Sequence, residues 1–156
     1  KCLKNIPKDL FISVAAVSDW KIKNYSKDKI KNYCKHKIKK KNTKISFQLT
    51  ENKDILKFIS NYNKRPKLVV GFAAETNDIE KNAKLKLKRK KCDLIVANNV
   101  ASRENIMGGD MNSAHIYNSS NLLAKYQSMK KVDLSKRLLT EIIHPILHKK
   151  IGENIL

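Results

Sequence analysis

The sequence is short of the residues that staple or punctuate a small fold. Three cysteines, Cys2, Cys34 and Cys92, are odd in number and widely separated. That spacing excludes a disulfide framework and a paired zinc site, so they read as reduced thiols. A catalytic cysteine needs a nearby base, and the four histidines offer no local pattern for one. Four glycines leave no Walker loop, no Gly-x-Gly-x-x-Gly fingerprint and no Gly-x-Ser-x-Gly elbow, and His-Glu-x-x-His is also missing. No apolar run approaches the roughly 18 residues of a membrane span, and no stretch resembles a signal peptide. The expectation is a soluble, cytoplasmic protein without a membrane partner. At 156 residues one core is expected. The chain opens at Lys1 without methionine and enters an apolar stretch within ten residues, so it reads as part of a longer chain that was cut or has decayed.

Acidic residues are scarce as well: 14 Asp and Glu face 34 Lys and Arg, for a net charge of +20. Such a field attracts any polyanion. The positive residues are nearly all lysine and travel with abundant asparagine and isoleucine, the mark of a drift spread over every exposed face. A nucleic-acid surface is the other reading, but arginine is rare and aromatics do not interleave with the basic runs.

The most structured stretch is residues 67–77, Lys-Leu-Val-Val-Gly-Phe-Ala-Ala-Glu-Thr-Asn. Leu68-Val69-Val70 behind Pro66 reads as a strand buried on both faces that stops at Gly71. Asn77, with Glu80 three residues on, reads as the cap of a following helix. The turn over 71–76 is then where an α/β sheet gathers backbone amides and helix N-termini for a ligand. Residues 9–17 read as a second buried strand ending at Ser18-Asp19-Trp20. Asp19 is either a turn or helix cap or a carboxylate at the crevice mouth. Residues 92–97 form a third buried strand with Asn98 and Asn99 at its tip, completing a βαβ unit.

The remaining elements are weaker. Residues 21–41 are lysine-rich without a clear period and read as a mobile surface segment. At its end, residues 37–40, a turn at Asn42-Thr43, and alternating Ile45, Phe47 and Leu49 predict a β-hairpin. Its lysines either close over a phosphate chain or keep a solvated edge from aggregating. A short helix with Ile55, Leu56 and Ile59 starts at Thr50 or Asn52 and ends in residues 61–66. The helix over 78–91 aligns Ile79, Ala83, Lys86 and Lys90. Two lysines four apart repel by roughly 0.2–0.5 kcal/mol; an anion would relieve this, and so would solvent. Residues 102–112 form a polar loop containing Gly108-Gly109-Asp110, followed by a short strand over 114–117. A last helix starts near Asp133 and buries Leu134, Leu138, Leu139, Ile142 and Ile143, and Pro145 kinks or ends it at His144.

Three segments in order, Ala15-Ala16-Val17-Ser18-Asp19-Trp20, Gly71-Phe72-Ala73-Ala74-Glu75-Thr76-Asn77 and Cys92-Asp93-Leu94-Ile95-Val96-Ala97-Asn98, resemble the phosphopantothenate-cysteine ligase family. That family forms the C-terminal half of a bifunctional flavoprotein of coenzyme A synthesis. Lys37-Ile38-Lys39-Lys40 looks like its lysine motif, and Asn52-Lys53-Asp54-Ile55-Leu56 looks like its Asn-Pro-Asp-Ile-Leu segment. The resemblance runs from about residue 9 to residue 112, more weakly beyond. Lys53 replaces a proline, Asn99 an aspartate, and Ile106-Met107 a Gly-Phe pair. The family's glycine-rich first strand-turn, with an asparagine that processes the intermediate, has no counterpart here. Lys29-Ile30-Lys31 offers a second lysine pattern, but the distance from Lys37 to Asn52 matches the family's hairpin.

The resemblance implies a single, N-terminally incomplete domain over 1–156 of α/β class. Its fold would be a three-layer Rossmann-like (ribokinase-like) domain with a mostly parallel central sheet and a β-hairpin flap. It implies CTP-dependent joining of cysteine to 4'-phosphopantothenate through an acyl-cytidylate, with Mg2+ and without a flavin in this part. Asp19, Lys37, Lys53, Asp54, Ile55, Leu56, Phe72, Lys86 and Lys90 match CTP-binding positions, Lys37 also matches a catalytic lysine, and Asn98 and Lys40 are possible supports. The implied partners are a second copy of the chain and a flavoprotein decarboxylase half encoded upstream. The alternatives are a non-enzymatic polyanion or nucleic-acid binder and an inactive remnant of the ligase.

Overall fold

The protein is described by a computed structural model at residue 4 and over residues 8–23, 47–99 and 109–152, the side chain of Asn99 excepted. In chain order the elements are β1 (Leu10–Ser13), β2 (Trp20–Ile22), β3 (Leu49–Glu51), α1 (Ile55–Ser60), β4 (Leu68–Glu75), α2 (Ile79–Lys90), β5 (Leu94–Asn99), β6 (Met111–Tyr117) and β7 (Leu122–Lys130). The chain then enters α3 (Lys131–Arg137), a π-helical turn (Leu138–Ile143) and α4 (His144–Gly152). Two compact units emerge, Lys1–Ala15 with Ile55–Leu156, and Ala16–Asp54.

The larger unit is a five-stranded sheet in the order β1-β4-β5-β6-β7. β1, β4 and β5 pair in parallel, with Leu10 beside Leu68 and Phe72 beside Val96. β6 runs against β5 and β7 against β6, so four of the five strands point one way. Strand alternation then splits the core into two layers. Leu68, Val70, Leu94, Val96 and Ile116 meet Leu134, Leu138 and Ile143 of the C-terminal helical run. Val69, Ala73, Ile95, Ala97 and Tyr117 meet Ile59 of α1 and Ala83 and Leu87 of α2. This is the three-layer α/β arrangement the sequence implies.

β4 differs from the sequence expectation at Gly71. The strand does not stop there but continues to Glu75, with Gly71 standing in register beside Ile95 and Ser13. Gly71 instead makes room for the ends of two packed side chains. A Cβ at this position would lie 2.5 Å from Leu56 Cδ2 and 2.8 Å from Ile95 Cδ1. The turn falls later, and Asp78 takes the N-cap position in a left-handed conformation at φ 44°, without a side-chain cap bond. The expected Asn77–Glu80 box is therefore not formed. Asn77 offers its carbonyl to Asn82 Nδ2 at 3.0 Å, and Glu80 pairs with Lys84 at 2.6 Å.

Two further corrections concern the C-terminal third. β7 was not foreseen, and the last helix starts at Lys131. Nor does Pro145 end that helix. The preceding turn widens to π geometry, with the His144 amide donating to Leu139 O, so the chain passes through Pro145 into α4. A wider turn relieves the clash between a proline ring and the carbonyl four residues back. Leu139 is 46% exposed and not part of the buried stripe. The run is pinned to β7 by Tyr126, whose hydroxyl donates to Glu141 Oε2 at 2.9 Å. Hydrogen bonds from Arg137 and then Tyr126 hold the Glu141 carboxyl below its ordinary range.

Asp93 ties the amino ends of the strands together. One carboxylate oxygen pairs with Arg65 and accepts the Val69 amide at 2.7 Å, and the other accepts Lys150 Nζ of α4 at 2.7 Å. Lys150 also donates to Lys67 O at 3.0 Å.

In the smaller unit, Trp20–Ile22 pairs antiparallel with Leu49–Glu51, placing Ile22 opposite Leu49. Lys21 and Ile22 are therefore strand rather than irregular surface, because cross-strand pairing supplies the order their sequence does not encode. The expected first hairpin strand over 37–40 and its turn lie outside the described residues.

Gly71→Ala should lower stability by about 1–3 kcal/mol through overpacking, read as a reduced urea midpoint, and Gly71→Ala with Leu56→Ala should recover part of the loss. Cys92 is buried and free, and burial pushes its thiol up to about 11. The stability it contributes is complete below its ordinary value of 9.0 and is lost as pH rises through about 11. The urea midpoint should accordingly fall more steeply over that window in the parent than in Cys92→Ala.

Candidate functional site

Parallel strands that end together leave a crevice at their carboxyl ends. β4 and β5 finish side by side, with Glu75 opposite Asn99 and Ala74 opposite Asn98. Each face of this end carries polar chemistry.

On the face covered by α2, Glu75 meets Lys86. Lys86 sits on the half-buried flank of the helix, and a helical side chain leans toward the helix N-terminus, which here lies over the strand ends. Lys86 Nζ stands 2.7 Å from Glu75 Oε1, close enough for an ion pair. The approach is not in line for a hydrogen bond, and Oε1 is buried with its hydrogen-bonding capacity unused. His115 lies opposite Ala97 on the same face, with the Tyr117 hydroxyl 3.4 Å from its Nδ1. Burial and then the charge of Lys125 lower the His115 pKa from 6.5, so the ring is neutral near pH 7.

On the opposite face, Phe72 packs half-buried against the core layer of the C-terminal helices. Two residues beyond Val96, on the same side, Asn98 points its amide oxygen into the interior without a hydrogen-bond partner. Its register neighbours are Ala74 and Ala114, whose methyl groups cannot satisfy it. A buried acceptor left this way suits a ligand donor.

The expected site residues thus fall into groups. Lys86 and Asn98 stand at the strand ends, on opposite faces, and Phe72 shares the face of Asn98. Lys90, the last residue of α2, lies about 6 Å further along the helix axis than Lys86, and its carbonyl accepts Asn61 Nδ2 at 3.3 Å. Leu56 is a packing residue, set against the bare Cα of Gly71, and Ile55 opens α1 at 38% exposure. Asp19, Lys53 and Asp54 belong to the smaller unit. There Asn52 draws two separated segments together: its amide nitrogen donates to Asp19 O at 2.7 Å and its side chain to Ser18 O at 2.7 Å. Lys37 and Lys40 lie outside the described residues. Glu75 and His115 were not singled out from the sequence. Glu75, the last residue of β4, lies eleven residues before Lys86, and that spacing alone does not announce the pair.

Among the described residues, no group of three or more His, Cys, Asp or Glu side chains is placed to hold a metal ion. No helix among them is long and apolar enough to cross a membrane.

Residues 1–146 match the family model described as the DNA/pantothenate metabolism flavoprotein C-terminal domain. The chain is 37% identical over 145 residues to the coenzyme A biosynthesis bifunctional protein CoaBC of Bacillus subtilis, covering 93% of this chain and 33% of that protein. To the protein of the same description from Haemophilus influenzae it is 33% identical over 138 residues, covering 88% and 32%. The chain therefore spans about a third of the length of these curated relatives. The crystal structure of the C-terminal domain of a CoaBC protein superposes with a TM-score of 0.59 at 25% identity, over 88% of this chain and 57% of that one. A DNA/pantothenate metabolism flavoprotein from Streptococcus pneumoniae shares the fold, with a TM-score of 0.60 at 18% identity, over 89% of this chain and 64% of that one.

Removing one member of the Glu75–Lys86 pair strands the other. Lys86→Ala should cost about 1–3 kcal/mol of stability, measured by urea unfolding, and Glu75→Gln in the same chain should restore most of it.

Proposed function

The chain belongs to the DNA/pantothenate metabolism flavoprotein C-terminal domain family, and we propose that it serves coenzyme A biosynthesis as a CTP-dependent phosphopantothenate-cysteine ligase. The observation that carries this reading is the carboxyl end of β4 and β5. There a lysine is held by a carboxylate on one face, and a buried amide oxygen lies unused on the other. A nucleoside triphosphate suits both, since its phosphate oxygens attract Lys86 and its base or ribose donates hydrogen bonds to an acceptor such as Asn98. Phe72 supplies an aromatic surface beside Asn98.

In the proposed reaction the carboxylate of 4'-phosphopantothenate attacks the α-phosphate of CTP. The bond to the β-phosphate breaks and pyrophosphate leaves. The amine of cysteine then attacks the acyl carbon, losing a proton as CMP departs, and an amide forms. Negative charge builds on phosphate oxygens, so preorganised cations lower the barrier and no covalent nucleophile on the protein is needed. Lys86 and Lys90 supply such charge on α2. On the strength of the resemblance, Lys37 is the catalytic lysine, and Asp19, Lys40 and the segment from Lys53 through Leu56 complete the nucleotide contacts. Mg2+ would accompany the nucleotide, held largely by its phosphates. It neutralises phosphate charge when bound.

A cytoplasmic location, a second copy of the chain and a flavoprotein decarboxylase half complete the proposal. A second reading rests on the net charge of +20, which favours polyanions of any kind.

Isothermal titration with CTP and Mg2+ separates them. Saturable binding should weaken about tenfold, roughly 1.4 kcal/mol, in Lys86→Ala and again in Asn98→Ala. Absence of binding, or equal binding of CTP and duplex DNA that vanishes together with rising salt, would contradict the nucleotide site.

A further inference from the structure

We propose that His144 and His148 form a chelate for a divalent transition-metal ion, with Cu2+ or Ni2+ preferred over Zn2+. The two residues stand four apart at the start of α4, which puts them on one face of the helix. Both are exposed, and their Nε2 atoms are 3.0 Å apart with ring centroids at 4.2 Å. The rings therefore converge on the nitrogens that bind metals and leave the outer coordination positions to water.

Ligand chemistry, rather than the separation, ranks the metals. Imidazole–metal bonds of about 2.0–2.1 Å place two nitrogens about 2.9 Å apart at a right angle and about 3.3–3.4 Å apart at a tetrahedral angle. At 3.0 Å the two rings share a hydrogen bond that a metal ion would replace, a small adjustment from either geometry, and the general order of divalent affinities for imidazole puts Cu2+ and Ni2+ ahead. The backbone beneath is fixed at the upstream end, because the His144 amide closes the π turn onto Leu139 O. At the downstream end Lys150 is drawn away to Asp93 and Lys67 O, which keeps its charge off the pair. The carboxylate one turn before His144, Glu141, is occupied by Arg137 and Tyr126 and does not compete as a ligand. Among the described residues the other imidazole and the thiol are poorly suited: Cys92 is buried, and His115 is held at Tyr117.

This site is independent of the nucleotide reading, and its test does not use activity. Full-length chain without an affinity tag is titrated with Cu2+, Ni2+ and Zn2+ in turn by calorimetry. Cu2+ binding is also read by the nitrogen couplings of its paramagnetic resonance spectrum. One ion should bind per chain. His144→Gln and His148→Gln should each weaken binding at least tenfold, with little further loss in the double variant, whereas His115→Gln should bind as the parent does. Saturating Ni2+ should raise the melting temperature of the parent and leave His148→Gln unchanged, since the chelate exists only in the folded helix. Binding that survives either substitution would overturn the proposal, as would Zn2+ binding more tightly than Cu2+ and Ni2+.

Discussion

A single carboxylate holds the parallel part of this sheet in place. Asp93 sits between the end of α2 and the start of β5, where it accepts the amide of Val69 in β4, an arginine from the loop before β4 and a lysine from the C-terminal helix. These are the amino ends of the strands. Three charge-assisted contacts on one partly buried group are worth more together than as separate surface pairs, because each fixes geometry the others use. With the amino ends fastened, the opposite ends are free to carry polar groups that contribute nothing to the core.

That division explains why polarity is concentrated where β4 and β5 finish. Val69, Val70, Leu94, Ile95 and Val96 are fully or almost fully buried, and the same strands then end in Glu75 and Asn98. A buried oxygen without a hydrogen-bond donor, as at Asn98, costs free energy. Under the proposed function a donor from the nucleotide offsets that cost. Because Glu75 and Asn98 face opposite sides, one ligand using both must lie across the strand ends rather than against one face.

The legible part of the fold was the part written in continuous apolar runs. Leu68 through Val70 and Leu94 through Ala97 announced buried parallel strands, and the helix between them followed from its spacing. What failed to show was set by tertiary contact. β4 continues past Gly71 through alanines that carry little strand preference, held by pairing to β5 on one side. Trp20–Ile22 is a strand only because Leu49–Glu51 lies beside it. Pro145 looked like a stop because the widened turn before it has no sequence signature. β7 did have one, the Asn118-Ser-Ser-Asn121 turn between two apolar stretches, where Asn118 accepts the Ser120 and Asn121 amides. At the site, Lys86 was visible from its stripe, but its carboxylate partner was not, since strand parity decides which side Glu75 takes.

The proposed function places a nucleotide at the carboxyl ends of β4 and β5. Backbone amide shifts of isotope-labelled protein, followed as CTP with Mg2+ is added, test it most directly. The largest changes should fall on residues 71–77, on Asn98 and on Lys86, with UTP producing a weaker response. Changes spread evenly over lysine-rich positions, and reproduced by inorganic triphosphate alone, would show that charge and not a nucleotide site governs binding.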